Sequence, residues 1–182
     1  MNTMTHINGP TILLSSGVYF NYEQPHTSDF SIIDIAKGLS NTCRFGGQSP
    51  RYYSVAEHCV LMSRVVGHAF SFEALMHDAA EAFICDMPKP LKQLLPDYKV
   101  VEDRVEAAIC ERYNLPVKIS SSVKNMDIRM LAAEQTQVMG NSHDWAHTHG
   151  LEAAPVTIEF WEPLEAYAKF LERFKQLNKA NT

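Results

Sequence analysis

The chain has 182 residues, 46% apolar and 20% charged, and its 16 Lys and Arg against 21 Asp and Glu leave a formal charge of −5. That balance describes one globular domain able to bury a sizeable core, and with 8 Gly and 9 Pro spread along the chain it excludes a disordered tail or a collagen-like repeat. The net acidity and the lack of any cluster of five or more Lys and Arg argue against a partner held by its nucleic-acid backbone.

No apolar run approaches the roughly 18–20 residues that cross a bilayer. Met1–Pro10 lacks the charged and apolar parts of a signal peptide, so a cytosolic protein without a membrane partner is expected. Thr11 to Tyr22 alternates loosely and reads as a short hairpin or extended lid, with Gly17 at its turn. From Asp29 the period becomes helical, with Ile32, Ile33, Ile35, Ala36 and Leu39 following a Ser31 cap and a stop near Gly46-Gly47. Ser54 and Glu57 form an S-x-x-E capping box that opens a second helix, whose apolar face carries Val55, Cys59, Met62, Val65 and Val66 as far as about Gly67. A third helix is predicted from about Ser71 to Ile84, and Pro88 and Pro90 forbid a regular helix just beyond it. Asp97 to Tyr113 with an Asn114 stop, Ser121 to Met139, and Pro163 to Leu177 complete the set. With no repeat and no dividing linker, the reading is all-α, a single domain of about six or seven helices over residues 1–182. Cys43, Cys59, Cys85 and Cys110 stand singly, as expected of small core residues in a reducing compartment.

The chemistry gathers at His77-Asp78, in the middle of an otherwise apolar helical pattern. A carboxylate there is costly to bury unless it is paired or bound to a metal, and a histidine is a common ligand. Glu81 follows at i+4 and i+3 from the pair, on one edge of the helix. His58 lies early in the preceding helix and Asp127 in a later one, so two histidines and two carboxylates from three helices could close around one divalent cation. The plainer alternative is a hydrogen-bonded core histidine beside a chance aspartate. His143-Asp144-Trp145-Ala146-His147-Thr148-His149 holds three histidines in seven residues. It reads as an exposed loop rather than a second metal site.

Ser54 to His58, then His77-Asp78-Ala79-Ala80-Glu81, then Asp86 to Lys92, then Lys124 to Asp127 resembles, in order and spacing, the HD-domain phosphohydrolases. The resemblance spans roughly Gly17 to Gln137 and is closest to their small nucleotide-hydrolysing branch, which includes bacterial 5′-deoxynucleotidases and phage dATP triphosphohydrolases. It implies a helical HD domain with His58, His77, Asp78 and Asp127 holding one divalent ion, Zn, Co or Mn, with Mg joining if a polyphosphate binds. It also implies general acid/base or metal-supporting work for Glu81 and Asp86, a phosphate contact for Arg44, and a place near the nucleoside for Phe45. Lys92 is a second basic candidate, with a plain surface lysine as its alternative. The resemblance further implies a bacterial or phage-infected host cytosol and a homo-oligomer. The apolar Ile158, Phe160, Trp161, Tyr167, Phe170, Leu171 and Phe174 agree with an oligomer, since they exceed what one face of a terminal helix needs. The expected reaction is hydrolysis of dATP to deoxyadenosine and triphosphate. Phosphate release from deoxynucleoside monophosphates and a catalytically silent nucleotide-binding module are the alternatives.

Overall fold

The computed structural model describes residues 9–143, 145 and 148–180. The expectations for residues 1–8, Asp144 and His147 lie outside them. Among the described residues the chain is all-α apart from one hairpin, β1 (Thr11–Leu13) and β2 (Tyr19–Asn21), antiparallel with Ile12 opposite Phe20. Gly17 turns it at φ 88°, a conformation that disfavours a side chain. The hairpin is pinned through Phe20, which is fully buried and stacked on Phe83 at 4.1 Å.

Helix α1 (Ile32–Asn41) starts at Ser31, whose backbone N–H donates to the Asp34 carboxylate. It ends before Gly46-Gly47, because residues 42–44 turn extended and pair with 53–55. Arg44 donates its N–H to Tyr53 O and Val55 donates to Thr42 O. Helix α2 (Val55–Val65) begins with the expected Ser54 cap, its hydroxyl accepting from Glu57 N–H. The other half of the capping box is absent. The Glu57 carboxylate turns away to accept the backbone N–H groups of Glu159, Phe160 and Trp161 at 2.7–3.0 Å. Nor does α2 bury only one face: every residue from Val55 to Ser63 is buried, because α1, α3, α7 and α8 surround it.

The predicted third helix is broken. α3 (Ser71–Met76) and α4 (Glu81–Ile84) flank a tight turn at 77–80, crossed by i to i−3 bonds such as Ala79 N–H to Met76 O and Glu81 N–H to Asp78 O. The cause is local, since the His77 ring Nδ1 donates to Ala74 O at 2.8 Å and takes the carbonyl that the Asp78 N–H would use in a regular helix. Cys85 then leaves α4 at φ 66°, ψ 160°.

The Pro88 and Pro90 stretch still forms one turn, α5 (Lys89–Lys92), since proline is tolerated where first-turn N–H groups have no partner. Helix α6 (Pro96–Tyr113) stops at left-handed Asn114 as expected, α7 (Ser121–Gln137) is capped by Ser120, and α8 (Pro163–Ala180) closes the bundle on α1 and α2. One apolar cluster runs from Phe20 to Leu177. Trp161 and Phe170 are buried in it, and Tyr167, Leu171 and Phe174 pack against it, so this apolar set is used within the chain. All four cysteines are free, but of them only Cys59 is buried in the core; Cys43 and Cys110 are half-buried and Cys85 is exposed. Among the described residues no helix is long and apolar enough to cross a membrane.

Candidate metal and phosphate site

Buried α2 carries His58, the 77–80 turn carries His77 and Asp78, and α7 carries Asp127. All four side chains converge. The two Nε2 atoms lie 3.4 Å apart. Asp78 Oδ2 is 3.1 Å from His77 Nε2 and 3.8 Å from His58 Nε2, and Asp127 Oδ1 is 3.3 Å from His58 Nε2 and 3.7 Å from His77 Nε2. Two donors bound to one ion at about 2.0–2.2 Å stand about 3–3.5 Å apart, so the spacing fits a shared cation.

The imidazoles are also set for it. His77 commits Nδ1–H to Ala74 O and His58 commits Nδ1–H to Glu134 Oε1 at 2.6 Å, which leaves both Nε2 atoms facing the cluster. Burial opposes the charged form of His77, but the Asp78 carboxylate outweighs it and holds the ring's pKa well above the usual range. Burial would raise Asp127, yet hydrogen bonds from the Nε2–H of both histidines, protons that a bound ion would replace, hold it well below the usual carboxylate value. The four donors are thus gathered before any ion binds. Cys59 Sγ comes within 4.0 Å of His77 Nδ1, but that nitrogen is already committed and burial pushes the thiol up to about 11, so Cys59 is the poorer donor.

Arg44 lies against this cluster. Its Nη1 is 3.6 Å from Asp78 Oδ2, its Nη2 donates to Glu134 Oε2 at 3.0 Å, and its Nε is buried with no partner. Burial of an unpaired N–H is costly, so this guanidinium has a donor open to an acceptor such as an anion's oxygen. Phe45, left-handed at φ 57°, sets its ring 5.7 Å from the Arg44 guanidinium and 6.5 Å from the Trp145 ring. Glu81 begins α4 with Oε2 buried and unpartnered. Burial first, then Asp78 and Asp86, raise its carboxyl well above the ordinary value. Asp86, half-buried, is also raised by burial, against the pull of Arg44.

Lys92 is paired with an acidic side chain of the next helix. Its Nζ is 2.5 Å from Glu102 Oε1, and Glu102 also binds Lys99 at 3.0 Å. In the 143–149 segment, Gln135 and Thr148 bond at 3.1 Å and tie the loop to α7. The metal-type donor groups found among the described residues lie at the His58 and His77 cluster, not in this segment. A groove lined by Glu73, Met76, Glu106 and Cys110 among others meets the site only through His77.

Glu134 and Tyr53 escaped the sequence reading. Glu134 is fully buried and accepts from the Tyr53 hydroxyl at 2.8 Å as well as from His58 and Arg44. Burial would raise its carboxyl, but the Arg44 and His58 charges with the hydrogen bonds hold it at about 2. A signal existed: Glu134 is seven residues after Asp127, two turns along the same face of α7.

Fold and site together define a helical-bundle protein whose centre gathers side chains of the kind that hold a metal ion, beside a largely buried arginine. The chain is 45% identical over 168 residues to uncharacterized protein YfdR of Escherichia coli K12, covering 90% of this chain and 93% of that one. It is 33% identical over 141 residues to uncharacterized protein RCAP_rcc00048 of Rhodobacter capsulatus, covering 70% and 72% respectively. The chain belongs to the family of these two proteins. No family model matches it.

Proposed function

We propose that this protein is a cytosolic, metal-dependent phosphohydrolase of the HD-domain type acting on deoxynucleotides. One observation carries the reading. Two imidazole Nε2 atoms meet at 3.4 Å with an oxygen of Asp78 and of Asp127 each within 3.8 Å of both, beside an arginine whose buried Nε has no partner. His58, His77, Asp78 and Asp127 would hold a divalent ion of the Zn, Co or Mn kind, which lowers the pKa of water and polarises a phosphoryl oxygen.

Hydrolysis joins a water oxygen to phosphorus as the bond from phosphorus to the leaving oxygen breaks. One water proton departs and the leaving oxygen gains one. Glu81, with its unpartnered Oε2, and Asp86 are the two carboxyl groups that would exchange these protons, one taking the water's and the other supplying the leaving oxygen's. Arg44 neutralises phosphoryl charge through Nε. Phe45 packs against the sugar, where a 2′-hydroxyl would find no partner, which favours deoxyribose.

The resemblance favours dATP as substrate, with triphosphate released and Mg joining the polyphosphate. A second reading is release of orthophosphate from deoxynucleoside monophosphates, and charge supports it: of the two basic side chains expected at phosphate, Lys92 is already paired with Glu102 while Arg44 keeps an N–H without a partner, which suits one phosphate better than a chain of three. Offering dATP, dAMP and ATP to metal-loaded protein and identifying the products tests both. Deoxyadenosine with intact triphosphate supports the first, orthophosphate from dAMP alone supports the second, and inertness toward all three leaves a binding module. His77→Ala and Asp78→Ala should each lose the bound metal, and full metal with full turnover in both would place the site elsewhere.

A further inference from the structure

We infer that Glu134 is a positioning residue that couples the metal ligand His58 to the phosphate-binding Arg44, so that cation and anion affinities depend on one carboxylate. The inference rests on the roles proposed above for those two side chains. Glu134 sits on α7 with no exposed surface. Its Oε1 accepts from Tyr53 Oη at 2.8 Å and His58 Nδ1 at 2.6 Å, and its Oε2 accepts from Arg44 Nη2 at 3.0 Å. A buried carboxylate is tolerated only when its lone pairs are met, and here three donors from separate parts of the chain meet them.

Two consequences bear on the site. The His58 ring stays in the orientation that leaves Nε2 for an ion only while Nδ1–H has this acceptor. Arg44 is also shared between two carboxylates, Glu134 at 3.0 Å and Asp78 at 3.6 Å. Without Glu134, the guanidinium closes on Asp78, occupies an oxygen meant for the ion, and is no longer held for phosphate. Loss of Glu134 therefore harms the metal site twice, once through each neighbour, and the part that acts through Arg44 disappears when Arg44 is also removed.

The test is a titration of the full chain with Zn²⁺ against a chromophoric chelator, followed by calorimetric titration of the loaded protein with inorganic phosphate. Neither needs turnover, so both read Glu134 even if no deoxynucleotide is hydrolysed. Glu134→Gln should weaken Zn²⁺ binding about 10- to 100-fold and phosphate binding by about tenfold. Adding Arg44→Met to Glu134→Gln should restore part of the Zn²⁺ affinity. Tyr53→Phe, which removes one hydrogen bond to Oε1, should weaken Zn²⁺ by a smaller factor in the same direction, and it keeps the question open to measurement if Glu134→Gln does not fold. A folded Glu134→Gln protein with wild-type Zn²⁺ affinity overturns the inference. So does a loss of Zn²⁺ affinity with phosphate binding unchanged, or a Tyr53→Phe variant indistinguishable from wild type where Glu134→Gln is unfolded.

Discussion

Gly38 ties the bundle's packing to the proposed catalytic carboxylate. It lies inside α1 where α1 crosses α4, and a Cβ placed there would stand 2.5 Å from Ala82 O, 2.7 Å from Ala82 Cα and 2.7 Å from Ala82 Cβ. In a free helix, glycine to alanine gains about 1 kcal/mol. Here the overlap is with another helix's backbone, which cannot rotate aside. Restoring an ordinary contact of about 3.5 Å means displacing α4 by about 1 Å, and overpacking of this kind costs about 1–3 kcal/mol. Three simultaneous overlaps put Gly38→Ala near the upper end, for a net loss of about 2 kcal/mol, or a melting temperature lower by about 4–8 °C for a domain of this size. Because α4 opens with Glu81, the same displacement should reduce kcat by up to about 100-fold on whichever deoxynucleotide is turned over. Thermal and urea melts with parallel kinetics decide it, and a Gly38→Ala protein with unchanged melting temperature and kcat would show that the α1–α4 contact is not the constraint described.

The backbone of Cys85 makes a second stability prediction. At φ 66°, ψ 160° it occupies a region nearly confined to glycine, at a cost of about 1–3 kcal/mol, so Cys85→Gly should stabilise the fold by about 1 kcal/mol after glycine's greater unfolded-state entropy, and a lower urea midpoint would refute it. Glu81→Ala should keep its metal by elemental analysis yet lose kcat by about 100-fold or more, and metal loss in that variant would make Glu81 a ligand instead.

The elements legible in the sequence are those specified by neighbours a few residues apart. The Ser54 cap, the Asn114 stop, the hairpin turn at Gly17 and the long periods of α6 and α7 depend on contacts within one or two turns, so they survive being read without a fold. The His58, His77, Asp78 and Asp127 set was legible in a different way, through residue types in a recognisable order, and the structure brings the four together.

Where the reading departed from the structure, a side chain had chosen a partner that local pattern does not encode. His77 broke its helix by taking the Ala74 carbonyl, and Glu57 left its capping box for three N–H groups more than 100 residues away. Lys92 pairs with Glu102 across the junction of α5 and α6. Glu134 reads as an ordinary helix carboxylate until packing sets it between His58, 76 residues earlier, and Arg44, 90 residues earlier. Periodicity and caps are short-range energies written into consecutive residues. Which carboxylate meets which cation in the buried centre is decided by helices that are adjacent only once the chain has folded, because there the low dielectric makes every unmet charge costly and every met one selective.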